Sequence, residues 1–286
     1  MNPITNSIIK EIKKLHSRKH REELQLFLVE GERLVAEATN VKYYVAVQDA
    51  NSQSSVGDDA HIVPHFKVLT FKSKNKICVA NQPHLFTITY SLLLNKSITY
   101  TASEKTFSHL SATETPQGIL AVCQIPPQPE FIDNYPQNSL ILLLDNIQDP
   151  GNLGTIIRTA ECAGVSAVIL GKGCADLYNP KVVRSTMGAI FRLPIFTNQN
   201  LIEIIKSNPN RKSIAMSLSK NSQNFYKLDM TGQISIIIGN EANGISKEVR
   251  SASEIEAIIP MAAGESLNAA IAAAVASFEW RRQNEL

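Results

Sequence analysis

The sequence is short of the features that mark several common protein classes. Among its 286 residues are four cysteines, Cys78, Cys123, Cys162 and Cys174, and no two form a Cys-x-x-Cys pair. Thiols scattered in this way fit neither a disulfide frame nor a zinc site and suit a reducing compartment. The six histidines, His16, His20, His61, His65, His84 and His109, all fall in the N-terminal half. None has metal-ligand spacing, and Pro64 interrupts the one pair, His61 and His65, that a helix would bring to a single face. No apolar run reaches the roughly 18 residues of a membrane helix. The formal net charge is only +2, so attraction to nucleic acid would need locally arranged cations rather than an overall field. The opening stretch MNPITNSIIKEIKK lacks the apolar core of a secretory signal. Its amphipathic pattern leaves an organellar targeting segment open, and the plainer expectation is a cytoplasmic protein whose chain begins with a helix.

What is present is ordinary globular composition, 44% hydrophobic and 19% charged, which excludes disorder or a coiled coil as a reading of the whole chain. The stretch Ile125–Ser139, IPPQPEFIDNYPQNS, is rich in Pro, Asn and Gln, residues that break regular structure and need no burial. It divides the chain into a small α/β unit over 1–125, a linker over 126–139 and a larger α/β unit over 140–286. In the first unit Asn6–Leu15 reads as a helix with Ile8, Ile9, Ile12 and Leu15 on one side. A helix over Arg33–Ala38 and strand-like runs at Lys42–Val47, Lys67–Phe71, Tyr90–Leu94 and Gly118–Gln124 follow. In the second unit Leu140–Leu144 is an apolar strand of the kind buried in a parallel sheet. Helices over Gly154–Cys162, Lys181–Gly188 and Ser266–Arg281 alternate with strands at Val165–Leu170, Arg211–Ser217, Ile234–Ile238 and Ile255–Ile259, which predicts a layered α/β fold.

A second absence is informative. Dinucleotide-binding and ordinary methyltransferase domains follow their first strand with a glycine-rich turn. Here that strand runs into DNIQDPGNLG, and three other blocks stand out. The first holds Asn146, the turn Pro150–Gly151, Asn152 as a candidate helix cap, and Arg158. Arg158 taken alone reads first as a solvated helix arginine and, beside a polar strand end, also as a phosphate fork. The second is Asn179, Pro180, Lys181, Arg184 and Gly188. Lys181 and Arg184 share a helix face, either as plain surface charge or as a phosphate clamp at a helix start. The third has two parts: Gly239, Asn240, Glu241 and Gly244 directly after a strand, then Ile259, Pro260, Met261, Gly264, Glu265, Ser266, Leu267 and Asn268. Gly239 would let backbone approach a ligand closely. Ser266 is a sound cap for the last helix, which places Asn268 inside it, where asparagine is a poor choice without a functional reason.

Together these blocks resemble the SpoU family, the TrmH-like branch of the knotted SPOUT methyltransferases, from Leu140 to about Trp280. The first motif of that family matches Asn146, Pro150–Gly151–Asn152–Leu153–Gly154 and Arg158. Its second matches Pro180, Lys181, Arg184 and Gly188. Its third matches Gly239, Glu241 and Gly244 with Ile259–Pro260–Met261 and Ser266–Leu267–Asn268. The N-terminal run RKHREELQLFLVEGERLVAEA is similar to the start of the ribosomal-protein-like, RNA-binding domain of many members. Glu30, Gly31 and Leu34 fit its opening pattern, and Thr115–Pro116–Gln117–Gly118 its closing segment.

The resemblance implies a trefoil-knotted parallel sheet with helices on both faces, preceded by a small α/β RNA-binding domain. It implies S-adenosylmethionine as cofactor, no metal, structured RNA as substrate (ribosomal RNA foremost), and a homodimer formed through the knotted unit. The reaction implied is methylation of a ribose 2′-hydroxyl. Arg158, Asn146, Glu241 and Asn268 would be the catalytic group. Arg184, Lys181 and Ser266, with Arg18, Lys19 and Arg21 of the first unit, would bind substrate. Leu218, Gly239, Asn240, Ile259, Met261 and Leu267 would grip the cofactor. A transfer-RNA methyltransferase and a non-catalytic RNA-binding or ribosome-assembly homologue remain the alternatives, because the motifs describe the transfer and not its address.

Overall fold

The computed structural model describes residues 2–47, 98–263 and 266–284, and the chain divides into two units at Ile125/Pro126. The predicted strands Lys67–Phe71 and Tyr90–Leu94 lie outside the described residues. So do Cys78, His61, His65, His84, Gly264 and Glu265.

In the first unit a five-stranded mixed sheet carries the core. Its strands are β1 (Asn2–Pro3), β2 (Leu26–Glu30), β3 (Val41–Val47), β4 (Ile98–Ala102) and β5 (Ile119–Gln124), in the order β1-β4-β3-β5-β2. Helix α1 (Asn6–Lys14) starts at Thr5, whose hydroxyl accepts from the Ile8 N–H at 3.4 Å, and Lys13 and Lys14 favour its C-terminal dipole. Ile12 and Leu15 are fully buried against the sheet. Glu11 ties the helix down further, accepting from the Tyr43 hydroxyl at 2.8 Å and from Lys42 at 3.0 Å. Burial, then this bond to a carboxylate, raises the Tyr43 phenol well above its ordinary value. After α2 (Arg18–Leu24) and β2, α3 (Glu32–Glu37) leaves from Gly31, and there the opening and closing segments of the domain meet. Gln117 accepts from the Glu32 N–H at 3.1 Å. Glu30 accepts from the hydroxyls of Ser111 and Thr113 and from the Ala112 N–H. Gly31 has φ +98°, and a Cβ there would stand 2.7 Å from the Gln117 amide oxygen. The short helix α4 (Glu104–Ser108) completes this unit.

The second unit is built on a seven-stranded, wholly parallel sheet: β6 (Ser139–Asp145), β7 (Ala167–Gly171), β8 (Ile195–Gln199), β9 (Lys212–Met216), β10 (Gln223–Asn224), β11 (Gln233–Gly239) and β12 (Ile255–Ile258). The order is β10-β12-β9-β11-β6-β7-β8. Every residue of β6 is buried, as its apolar sequence predicts for a strand covered on both sides. Alternate side chains feed two cores. Leu140, Leu142 and Leu144 pack on one face with Ile156, Ile157 and Ala160 of α5 (Pro150–Ala163) and with Ala273 and Trp280 of α9 (Ala269–Gln283). Ile141 and Leu143 pack on the other with Leu201 of α7 (Leu201–Ser207) and Val249 of α8 (Lys247–Ala252). Helix α6 (Pro180–Ser185) lies against α5. Gly154 is the point of closest approach: a Cβ there would collide with Ser185 and sit 2.8 Å from the Val182 carbonyl oxygen.

The Pro- and Asn-rich stretch over 126–139 is mostly exposed and free of helix and strand before β6, as its composition suggests, but three of its side chains are anchored. Phe131 and Tyr135 pack on the second core, Phe131 edge-on to Phe196 at 5.2 Å. Asp133 forms a two-pronged pair with Arg211, at 2.6 Å and 2.8 Å, with the two side chains only 6% and 3% exposed. Arg211 also donates to the carbonyls of Ser139 and Ile234. Burial opposes the Asp133 charge, but hydrogen bonds from Arg211 and Asn208 outweigh it and hold the carboxyl below the ordinary carboxylate range. The segment straps the second unit.

Candidate active site

All strands of the second sheet run in one direction, so their C-terminal ends share one edge, where open α/β sheets bind ligands. Adjacent strands β12, β9, β11 and β6 lead respectively to Ile259, Leu218, Gly239 and Asn146. The first sequence block and both parts of the third are joined there.

The chain leaves β6 through Asn146, which takes the left-handed conformation at φ +57°. Helix α5 then begins earlier than predicted. Its cap is Asp149, which accepts from the Asn152 N–H at 2.7 Å, with Pro150 in the first turn. Asn152 is therefore not the cap, and its side chain is released for long-range contacts. Its amide nitrogen donates to Glu241 at 2.6 Å, and its amide oxygen accepts from the Asn268 side chain at 3.1 Å. Asn268 in turn caps α9, accepting from the N–H groups of Ala270 and Ile271 at 2.9 and 3.3 Å. This corrects the expectation that Ser266 caps that helix and that Asn268 lies within it. Asn152 supplies what the local pattern could not: a partner across 116 residues that fixes where the helix starts. The result is one hydrogen-bonded chain, α9 N-terminus to Asn268 to Asn152 to Glu241, in which each amide's donor and acceptor ends are assigned by their partners.

The loop after β11 is built as tightly. Asn240, 7% exposed, donates to the Asn146 carbonyl at 2.9 Å and accepts from the N–H groups of Ala242 and Asn243. Its backbone pairs with Gly244 in both directions. At Gly239 a Cβ would collide with the backbone of Gly244 and Ile245. The expected close approach at Gly239 is thus made by the chain's own loop. Beneath it Asp145 accepts from the Ser246 N–H at 2.7 Å.

The other candidate side chains stand around this scaffold. Arg158 and Arg184 are exposed and have no partner among the described residues. Lys181 lies 3.8 Å from Asp149, both side chains about half exposed. Leu218 is 68% exposed and Leu267 38% exposed, large apolar side chains facing solvent at the ends of β9 and before α9. Ser266 is exposed, Met261 is partly exposed and Ile259 is buried in the first core. No group of three or more metal-binding side chains occurs among the described residues. Burial pushes the Cys123 thiol up to about 12 and the Cys174 thiol to about 11, so neither is a thiolate nucleophile near neutral pH. Among these residues no helix is long and apolar enough to cross a membrane.

Residues 139–278 match the SpoU rRNA Methylase family, and residues 6–121 match the MRM3-like substrate binding domain. The chain is 31% identical over 277 residues to the 23S rRNA (guanosine(2553)-2'-O)-methyltransferase RlmP of Bacillus subtilis, covering 96% of each chain. It belongs to the SpoU rRNA Methylase family. Among solved structures, an rRNA methyltransferase from Sinorhizobium meliloti is similar over 99% of this chain and 96% of that one, with 28% identity and a TM-score of 0.76. Its AdoMet-bound form is similar over 99% and 97%, with 26% identity and a TM-score of 0.74. As a SpoU methylase the protein has the SPOUT fold and uses S-adenosylmethionine. The strand-end edge fits that cofactor: exposed Leu218 and Leu267 offer apolar surface beside the loops after β9, β11 and β12.

The structure adds a residue to the candidate site of this SpoU methylase. Asn146, Asn240 and Gly239 shape the loops, and Asn152, read only as a cap, joins the catalytic candidates Glu241 and Asn268. The signal was present: Pro150 favours the first helical position, which makes Asp149 the cap and frees Asn152. In the first unit Arg21 is 2% exposed and donates to the Leu15 carbonyl at 2.7 Å. It is a structural tie and not a phosphate contact. Arg18 and Lys19 are exposed but stand beside Glu22 and Glu23 at 2.7 and 3.8 Å.

Proposed function

We propose that this protein methylates the 2′-hydroxyl of one ribose in ribosomal RNA and works as a homodimer through its second unit. The observation that carries the reading is the Asn268–Asn152–Glu241 chain, whose middle member lies on the same helix as Arg158, which has no partner among the described residues. The relative from Bacillus subtilis is named for such a reaction on 23S rRNA, and the first unit matches a substrate binding domain.

S-adenosylmethionine supplies an electrophilic methyl group. The protein's task is to align a weak nucleophile with it, and positioning can lower the barrier by several kcal/mol, up to about 7–11. The Arg158 guanidinium offers hydrogen-bond donors and no acceptor. Its part is to orient the hydroxyl and offset the negative charge that grows on oxygen, while an RNA phosphate or water takes the proton. Lys181 and Arg184 hold a flanking phosphate. Glu241, fixed through one oxygen by Asn152, presents its other oxygen to the substrate. The Ser266 hydroxyl, not needed as a cap, is available at the cofactor side. For the dimer, Ile271 and Phe278 lie two turns apart on α9 and are 51% and 47% exposed. A second copy would cover them.

The test is incubation with labelled S-adenosylmethionine and separate unmodified ribosomal and transfer RNA pools. Label in the ribosomal pool alone supports the reading. Label in transfer RNA alone, or cofactor binding without transfer to any pool or to assembling ribosomal particles, overturns it.

A further inference from the structure

We infer that the exposed face of α1, carrying Lys10, Lys13 and Lys14, is the RNA-backbone contact surface of the first unit. The inference deepens the proposed function, since it takes RNA as the substrate. The stretch from Lys10 to Arg21 holds six cations, and the structure sorts them. Arg21 is buried and structural. Arg18 and Lys19 are matched one for one by Glu22 and Glu23 one turn on, so that segment adds no net charge. Lys10, Lys13 and Lys14 are exposed and have no acidic partner among the described residues.

Their spacing of three and four puts them on one helix face, opposite the face that buries Ile12. The one acidic residue of α1, Glu11, is turned to Lys42 and Tyr43. Asn6 and Ser7, the other polar residues of α1, carry no charge. A strip of three unopposed ammonium groups therefore stands on a rigid helix in a protein whose total is only +2. Charge concentrated in this way serves a polyanion. Lysine on a flexible stem is a point charge that suits phosphates rather than base edges. The surface would position RNA without reading its sequence.

The test uses the full chain without cofactor and a fluorescent stem-loop RNA of arbitrary sequence, with anisotropy read across a potassium chloride series. Each phosphate contact contributes nearly one unit to the slope of log K against log salt. The variant carrying Lys10→Gln, Lys13→Gln and Lys14→Gln is expected to lower that slope by about 2 units and to weaken binding at low salt at least about tenfold. The triple Lys→Arg variant should keep the slope, and the Arg18→Gln, Lys19→Gln pair should move it by less than half as much. Unchanged melting temperature and cofactor affinity establish that the variants fold. Equal slopes for wild type and the Gln variant, or wild-type binding that does not depend on salt, overturn the inference. Because no methyl transfer is read, a protein inactive on ribosomal RNA would fail the proposed function without altering this comparison.

Discussion

Replacing Asn152 with alanine should separate catalysis from stability in this protein. The substitution deletes two hydrogen bonds, to Glu241 at 2.6 Å and to Asn268 at 3.1 Å. Glu241 and Asn268 are both exposed, so water replaces the lost partner and neither is left as a buried unsatisfied group. Two such bonds are together worth about 1–2 kcal/mol at most. For a unit of this size that corresponds to a fall in Tm of roughly 2–8 °C. The Asp149 cap uses the Asn152 backbone N–H and is untouched, and Asn268 still caps α9 through its own oxygen. The two side chains that Asn152 aligned would then move independently, and a displacement near 1 Å costs on the order of 100-fold in rate. Single-turnover methyl transfer, measured below the new Tm with saturating cofactor, should fall by about that factor. Activity within a few-fold of wild type would refute the idea that Asn152 organises the site. A collapse of Tm far beyond this range would show that its role is structural.

Three further outcomes are expected. Asp133→Asn should destabilise the second unit by about 3–5 kcal/mol, since it leaves the Arg211 charge buried and poorly matched, and urea titration reads this. The Asp133 carboxyl is held below its unfolded value, so its contribution is complete above the unfolded carboxylate pKa and is lost as pH falls through the folded one; wild type should lose stability there more steeply than Asp133→Asn. Gly239→Ala should force the loop over Gly244 and Ile245 open, costing about 1–3 kcal/mol, and should weaken cofactor binding by calorimetry more than Gly232→Ala, where nothing lies within 4 Å of a Cβ. The pair Ile271→Asp and Phe278→Asp should yield monomers in sedimentation at concentrations where wild type is dimeric, and wild-type monomers would refute that part of the proposal.

Elements written in a local pattern were legible in the sequence. The apolar run of β6 and the isoleucine spacing of α1 each name their structure without reference to distant residues. Ambiguity arose where two residues of one chemical type competed for a role and a distant contact chose between them. Ser266 and Asn268 both suit a cap, and the bond between Asn268 and Asn152 accompanies the choice of Asn268. Composition did not show which few side chains of the linker are anchored. Phe131, Asp133 and Tyr135 fasten a stretch whose prolines and amides suggest a free linker. Charge alone did not reveal that Arg21 turns inward to a carbonyl while Lys10, Lys13 and Lys14 are exposed with no acidic partner among the described residues. The motif order carried the family because it depends on residue identity. The hydrogen bonds that make the motifs a site depend on the packing of β6, β11 and α9, which no single motif contains.

The most direct test of the central claim maps ribose methylation, by resistance to alkaline cleavage, on ribosomal RNA treated with wild type and with Arg158→Ala. Arg158 is exposed and makes no contact that its loss would disturb among the described residues, so the variant should fold and bind cofactor like wild type. The account predicts one protected ribose with wild type and none with the variant. Equal protection by both proteins, or protection by neither under conditions of confirmed cofactor binding, would contradict it.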